Sequence, residues 1–310
     1  MAVQPIWSTA SNLIHNFNTY IMKLDLVDIE HSDIKYKISQ FPDGQQTVDL
    51  VDWPLLTATD EGVTVRSRLN TFKDLELIIC AVAAIRDIKP NREIGLYVPY
   101  FIGARSDRKF TEGGVNYLKQ VICPIINSLK LTSVVVLDPH SDVLEACLDN
   151  YTKVDNHLVV KYALKDIDNK DGARSRICLV SPDAGAYKKI FDVAKEFDIP
   201  NIITANKVRD LKTGKILRTE IPVLDQHTDL KYVIVDDICD GGRTFVELAK
   251  AIKDGRPTAK VYLVVTHGIF SAGFEELNKL FERIYCTNSY RDIADDEYGV
   301  KTNTTQFKVI

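Results

Sequence analysis

The chain has 310 residues, enough for two domains of ordinary size, and its 45% hydrophobic and 26% charged residues are the composition of a globular protein. A formal net charge of -4 argues against a general nucleic-acid or membrane-surface role. The longest apolar run, Leu77–Ile85, is too short to span a bilayer and reads as a buried helix. The opening MAVQPIWSTA lacks the basic start and apolar core of a signal peptide.

Six cysteines, Cys80, Cys123, Cys147, Cys178, Cys239 and Cys286, form no CxxC pair, and most sit in apolar runs. They read as reduced, buried thiols of a cytoplasmic protein, with Cys239 a small packing residue, and a zinc site is not expected.

After a weakly patterned opening, Ile34–Ile38 alternates like a strand. The Pro-Asp-Gly of Phe41–Leu50 is a hairpin-tip signal. Val63–Arg68 alternates again, and Asp74–Arg86 is an apolar helix. Gly95–Lys109 is a strand running into a loop with Arg105, Asp107, Arg108 and Lys109. Such a loop is a solvated turn or an anion site, and its place at the C-terminal end of a strand, where α/β proteins keep their sites, tilts the reading towards the anion site. Phe110–Leu129 reads as a helix entered through Gly113–Gly114, and Thr132–His140 as a strand ending in Asp138 and His140. Polarity rises from about residue 150, which places a boundary between domains 1–155 and 156–310.

The second half repeats the scheme in pattern rather than in identity. Ile177–Ala186 is a strand that ends in Asp183 with a glycine turn, and Asn201–Thr204 is a short strand. Lys207–Thr219 carries five cations and one acid about a Lys-Thr-Gly-Lys turn, a solvated hairpin or a clamp over a polyanion. In Lys231–Lys250 an apolar strand, Tyr232–Val235, ends at the acid pair Asp236–Asp237. Asp240, Gly241, Gly242, Arg243 and Thr244 follow, then a helix from about Phe245 to Lys253. Strand, glycine turn and helix N-terminus expose backbone N–H groups to an anion, and the flanking carboxylates suit sugar hydroxyls or a magnesium ion. No Lys follows the glycines as a P-loop demands. Lys260–His267 is a further strand.

These stretches, from Gln40 to Asn288, resemble the ribose-phosphate diphosphokinase family, the synthetases of phosphoribosyl pyrophosphate, with motifs in the family order. The resemblance implies an α/β fold of two phosphoribosyltransferase-like domains, each a mainly parallel sheet flanked by helices, with ATP on the N-terminal and ribose phosphate on the C-terminal domain. It implies transfer of the diphosphate of Mg-ATP to the anomeric hydroxyl of ribose 5-phosphate, with Mg2+ as cofactor and a homo-oligomer, dimer or larger. FPDGQ is similar to the family hairpin F-S-D-G-E, which places Phe41, Asp43 and Gln45 on the adenine of a neighbouring subunit. ARSDRK is similar to A-R-Q-D-R-K and puts Arg105, Ser106 and Asp107 in the ATP site. LDPH is similar to L-D-L-H, which brings His140 to the ATP phosphates and the metal, and SPDAG resembles S-P-D-x-G, which makes Asp183 a magnesium-site residue. KVR resembles the K-x-R of the catalytic loop and assigns catalysis to Lys207 and Arg209. DDICDGGRT resembles D-D-x-x-D-T-G-G-T, which assigns ribose phosphate to Asp236, Asp237, Asp240, Gly241, Gly242, Arg243 and Thr244.

The chain departs from that pattern in places. Ser106 stands for a Gln and Gln45 for a Glu, which loosens or rearranges base recognition. The arginines that follow the A-R-Q-D-R-K motif and serve allosteric phosphate or ADP in the family are replaced by FTEGGVNY. Activation by phosphate and inhibition by ADP are therefore expected to be weak or absent. Arg243 enters a loop otherwise built of small residues. It serves the 5-phosphate itself, or an acceptor whose 5-phosphate is extended, such as ADP-ribose in NAD salvage, or it points to solvent from the first helical turn. A non-catalytic regulatory relative and a phosphoribosyltransferase that consumes phosphoribosyl pyrophosphate are the remaining alternatives. Lys207, Arg209, His140 and Asp183 speak against the first, and the ATP motifs against the second.

Overall fold

The computed structural model describes residues 21–168, 176–209, 216–221, 230–293 and 307–309. The chain divides into two compact units, Met1–Asp155 and Asn156–Ile310.

In the first unit the described elements are β1 (Met22–Asp25), the hairpin β2 (Tyr36–Gln40) and β3 (Gln46–Leu50), α1 (Trp53–Ala58), β4 (Val63–Arg66), α2 (Phe72–Ile88), β5 (Ile94–Val98), α3 (Cys123–Ser128), β6 (Ser133–Leu137), α4 (Val143–Cys147) and β7 (Tyr151–Val154). Five of these strands form one parallel sheet in the order β1-β4-β5-β6-β7. Leu24, Val65, Leu96, Val134 and Val136 of that sheet share a core with Leu75, Ile78, Val82 and Ile85 of α2 and Ile126 of α3. A capping box starts α2: Thr71 Oγ1 accepts the Asp74 N–H at 3.3 Å and Asp74 Oδ2 accepts the Thr71 N–H at 2.7 Å.

The helix expected over Phe110–Leu129 is shorter than its pattern. Residues 103–116 form a loop, a π-helical turn spans Leu118–Ile122, and α3 begins only at Cys123. Pro124 explains this: it has no N–H to give and crowds the preceding turn, so the α-ladder cannot run through it, and the turn before it widens, with Cys123 N–H bonding Leu118 O.

The second unit comprises α5 (His157–Asp168), β8 (Ile177–Ser181), α6 (Tyr187–Glu196), β9 (Asn201–Thr204), the antiparallel arm β10 (Asn206–Arg209) and β11 (Ile216–Glu220), β12 (Lys231–Cys239), α7 (Arg243–Gly255), β13 (Lys260–Gly268), α8 (Glu275–Leu280), β14 (Arg283–Thr287) and β15 (Phe307–Val309). Its parallel sheet runs β9-β8-β12-β13-β14-β15. Tyr232, Ile234, Leu263 and Val265 pack beneath Phe245, Leu248 and Ile252 of α7 on one face. Buried Leu179, Val233 and Val264 alternate with them, and α5 and α6 pack against strands of the same sheet. With both faces covered, the strands read as continuous apolar runs, which is why they were legible.

The chain leaves β8 towards β9 on one side and returns as β12 on the other. The C-terminal ends of β8 and β12 therefore flank a topological switch point, where open α/β sheets open a crevice.

Candidate functional site

The switch point is built from two strands of unequal reach. β8 pairs with β12 only from Ile177 opposite Lys231 to Val180 opposite Ile234. On its other side β12 stays paired with β13 through Asp236 opposite Val265, Ile238 opposite His267 and Cys239 opposite Gly268. Asp236 and Asp237 thus lie inside β12 rather than ending it, on a stretch that has outrun β8. Amides on this stretch turn to local carboxylates: Asp237 N–H donates to Asp236 Oδ1 at 3.0 Å and Ile238 N–H to Asp237 Oδ1 at 2.9 Å. Burial, the charge of Asp237 and a hydrogen bond with it raise the Asp236 carboxyl well above the ordinary range, while the Lys189 ammonium on α6 pulls it down.

Gly242 takes the N-cap position of α7 at φ 75 and ψ -3, and no side chain caps the helix. Phe245 N–H is already turned to Gly242 O at 3.0 Å, whereas the amides at the very start of a helix have no carbonyl within it to bond, and with the helix dipole they make an anion seat. Asp240 is held from behind by the loop after β13: Ser271 Oγ donates to Asp240 Oδ1 at 2.6 Å and Ser271 N–H to Asp240 O at 3.2 Å. Arg243 is the first residue of α7, and its side chain is 82% exposed, with Nε donating to Glu247 Oε1 at 2.7 Å.

Asp183 follows β8 at the same sheet edge. Its Oδ1 accepts the N–H groups of Gly185 at 3.1 Å and Ala186 at 3.2 Å, which shapes the turn into α6. The β10–β11 arm starts just after β9, with Lys207 opposite Thr219, Val208 opposite Arg218 and a bulge between Val208 and Arg209. β11 packs on α7. The side chains of Lys207 and Arg209 lie outside the described residues, as does the turn 210–215 between the strands.

In the first unit, β5 and β6 are adjacent and parallel, so the loops leaving them share one edge of the sheet. One carries exposed Arg105 with half-buried Ser106 and Asp107; the other carries buried Asp138, at φ 40, and exposed His140. Phe41 stands 53% exposed at the tip of the β2–β3 hairpin, whose turn is closed by Gly44 N–H to Phe41 O at 2.9 Å and Gln45 N–H to Asp43 Oδ1 at 3.1 Å. The hairpin base, Tyr36, Val48 and Leu50, is core.

Among the described residues no three His, Cys, Asp or Glu side chains converge as a metal cage. Magnesium does not need one: it keeps several waters and takes one or two carboxylates plus substrate phosphates. The oxygen-only donors at the switch point, Asp183, Asp236, Asp237 and Asp240, fit such an ion. The buried thiols do not enter: Cys239 packs in the core with Cys286, and burial pushes the Cys178 thiol up to about 12.

Two residues at this edge escaped the sequence reading. Ser271 sits in the loop after β13, and its signal would have been the adjacency of β13 to β12. Lys189 sits on α6, two residues into the helix that follows the Asp183 turn.

The phosphoribosyl transferase domain family matches residues 150–286. A ribose-phosphate pyrophosphokinase of Sulfolobus acidocaldarius is 27% identical over 290 residues, which cover 92% of this chain and 92% of that protein. Another, of a Marinomonas species, is 29% identical over 197 residues, 64% of this chain but only 59% of that protein. The crystal structure of phosphoribosylpyrophosphate synthetase from Mycobacterium smegmatis matches with a TM-score of 0.72 at 15% identity, covering 94% of each chain. That likeness establishes the fold: two α/β units with parallel sheets flanked by helices. No helix among the described residues is long and apolar enough to cross a membrane.

Proposed function

We propose that this chain is a divergent member of the ribose-phosphate pyrophosphokinase family and that it transfers the diphosphate of Mg-ATP to the anomeric hydroxyl of a ribose 5-phosphate-type acceptor and releases AMP. The observation that carries the acceptor half is the Asp236–Thr244 segment: two carboxylates beyond the end of β8, then an uncapped helix N-terminus behind Gly242. The acids take the ribose 2- and 3-hydroxyls, and the amides of Gly241 to Thr244 take the 5-phosphate. Ser271 fixes Asp240 for this role.

In this reading the first unit takes ATP, through Arg105, Ser106, Asp107 and His140 at the shared edge of β5 and β6. Phe41, Asp43 and Gln45 extend from a hairpin tip that its own core does not cover, which suits contact with the adenine held by a second copy of the chain. The sugar hydroxyl attacks the β-phosphorus, the bond to the α-phosphate oxygen breaks, and AMP leaves. Such a transfer needs alignment and charge neutralisation more than covalent help. Lys207 and Arg209 supply cationic charge to the diphosphate in flight. Asp183 would help hold a magnesium ion, which when bound would supply charge neutralisation at the phosphate oxygens.

Arg243, foreign to a loop otherwise built of small residues, is the reason to try a second acceptor within the same chemistry. Its guanidinium is exposed in the first turn of α7 and pairs with Glu247 one turn along, a partner it would have to leave to meet a phosphate beyond the first. ADP-ribose carries such a phosphate. AMP release from Mg-ATP, run in parallel with ribose 5-phosphate and ADP-ribose, separates the two acceptors. Release with neither acceptor from a folded protein sinks the proposal.

A further inference from the structure

We propose that Phe270, in the loop between β13 and α8, is a positioning residue for the acceptor loop: its left-handed backbone turns Ser271 and the amides before it onto Cys239 and Asp240. The inference rests on the reading that the Asp236–Thr244 segment takes the acceptor, and names what holds that segment in shape.

Phe270 has φ 49, in the left-handed region that a bulky L-residue avoids. Packing holds it there. Its side chain is fully buried, in the core cluster shared with Phe245 and Leu248 of α7, with its ring centroid 4.5 Å from that of Phe274. Gly268 makes room for it, since a Cβ at that position would stand 2.2 Å from the Phe270 ring. A backbone conformation of this kind persists only where its surroundings over-determine it, and such residues gather at functional sites.

The turn has a specific product. Three successive N–H groups reach the acceptor loop: Ile269 and Phe270 donate to Cys239 O at 2.9 and 3.1 Å, and Ser271 donates to Asp240 O at 3.2 Å. Ser271 Oγ adds a bond to Asp240 Oδ1 at 2.6 Å, and Gly273 N–H closes the turn on Phe270 O at 2.9 Å. These bonds take oxygens of the acceptor loop and none of its N–H groups, so the grip does not compete with an anion for the amides. Behind the next residue, Leu277 of α8 would lie 3.3 Å from a Cβ on Gly242. A Phe270 backbone relaxed to negative φ would send Ser271 in another direction and release Asp240.

The test is AMP release from Mg-ATP by full-length wild type, Phe270→Leu, Ser271→Ala, the double variant and Phe281→Leu, with ribose 5-phosphate and ATP varied in turn. Phe281 is buried in the same cluster and makes none of these bonds. Phe270→Leu and Ser271→Ala should each raise the ribose 5-phosphate KM about tenfold, the effect of one lost bond to a charged group, and keep kcat and the ATP KM within about twofold. In the Phe270→Leu background Ser271→Ala should add less than about twofold, because the ring acts by aiming the serine. Phe281→Leu should lower the melting temperature and leave the ribose 5-phosphate KM alone. Effects that multiply in the double variant, or a KM that Phe281→Leu raises equally, overturn the positioning role and spare the reaction. If Phe270→Leu fails to fold, Ser271→Ala, a change at an exposed residue, decides alone: the tenfold rise supports the role and a wild-type KM overturns it. Wild type that releases no AMP overturns the acceptor reading and the positioning role with it.

Discussion

Gly241 and Gly242 are neighbours with opposite reasons to be glycine, and substituting each by alanine separates fold from function. At Gly242 the backbone is left-handed at φ 75, and a Cβ would lie 3.3 Å from both Leu277 methyls. The left-handed conformation costs an L-residue about 1–2 kcal/mol. Reduced freedom of the unfolded chain returns about 0.4–1 kcal/mol, and Leu277 must shift by a few tenths of an ångström. Gly242→Ala should therefore lose about 1 kcal/mol, a drop of about 2–4 °C in melting temperature for a unit of this size. At Gly241 the φ is outside the left-handed region, and a Cβ would find only ordinary contacts, 3.8 Å from Ser271 Oγ and 4.0 Å from Ala272 Cβ. Gly241→Ala should melt with wild type to within about 0.5 kcal/mol. On the proposed reading the loop amides take the 5-phosphate, and a methyl added to this backbone would crowd that approach. Losing one or two charge-assisted bonds of about 1.5–3 kcal/mol each raises the acceptor KM at least tenfold. Thermal melts and acceptor saturation curves of the two variants decide the matter. A Gly241→Ala enzyme with wild-type acceptor KM would refute the claim that phosphate sits on this backbone.

Asp236→Asn should raise stability by roughly 0.5–2 kcal/mol at pH 7 while weakening acceptor binding, the usual conflict at a functional site. The sign follows from the raised carboxyl: its stabilising share is full below the ordinary carboxylate pKa and is lost as pH rises towards the raised value. The gain, read from urea midpoints, should shrink on going from pH 7 to pH 4, and a gain that grows on acidification would contradict it. Lys207→Ala should lower turnover about a thousandfold or more with an unchanged melting temperature, and an unchanged rate would remove it from the mechanism. Asp25→Ala should cost about 3–5 kcal/mol in denaturant titrations, because it strips a buried partner from Arg66, whose Nη1 sits 2.6 Å from Asp25 Oδ2. A loss below 1 kcal/mol would mean Arg66 finds other company.

What could be read from the chain divides along local and non-local physics. The apolar runs at Ile177–Ser181 and Lys260–Gly268 announced buried parallel strands, because both faces of that sheet are covered. The Pro-Asp-Gly tip was legible because Gly44 must turn at φ 97, a demand met within five residues. The end of β12 was not, since carboxylates read as a strand stop, and only pairing with β13 carries the strand on to Cys239. Phe110–Leu129 misled because its apolar spacing suits a helix, while Pro124 and the Gly103 packing impose a loop and a π-turn first. Sheet order, and with it the switch point that gathers Asp183, Asp236 and Ser271 at one edge, lies in pairings no local pattern states. Ser271 was missed for that reason.

The most direct measurement is the product itself: ribose 5-phosphate labelled with carbon-13 at C1 is incubated with Mg-ATP and followed by carbon and phosphorus NMR. The account predicts a diphosphate bonded at C1, formed in step with AMP. Release of ADP or inorganic phosphate with an unaltered C1 resonance would contradict it.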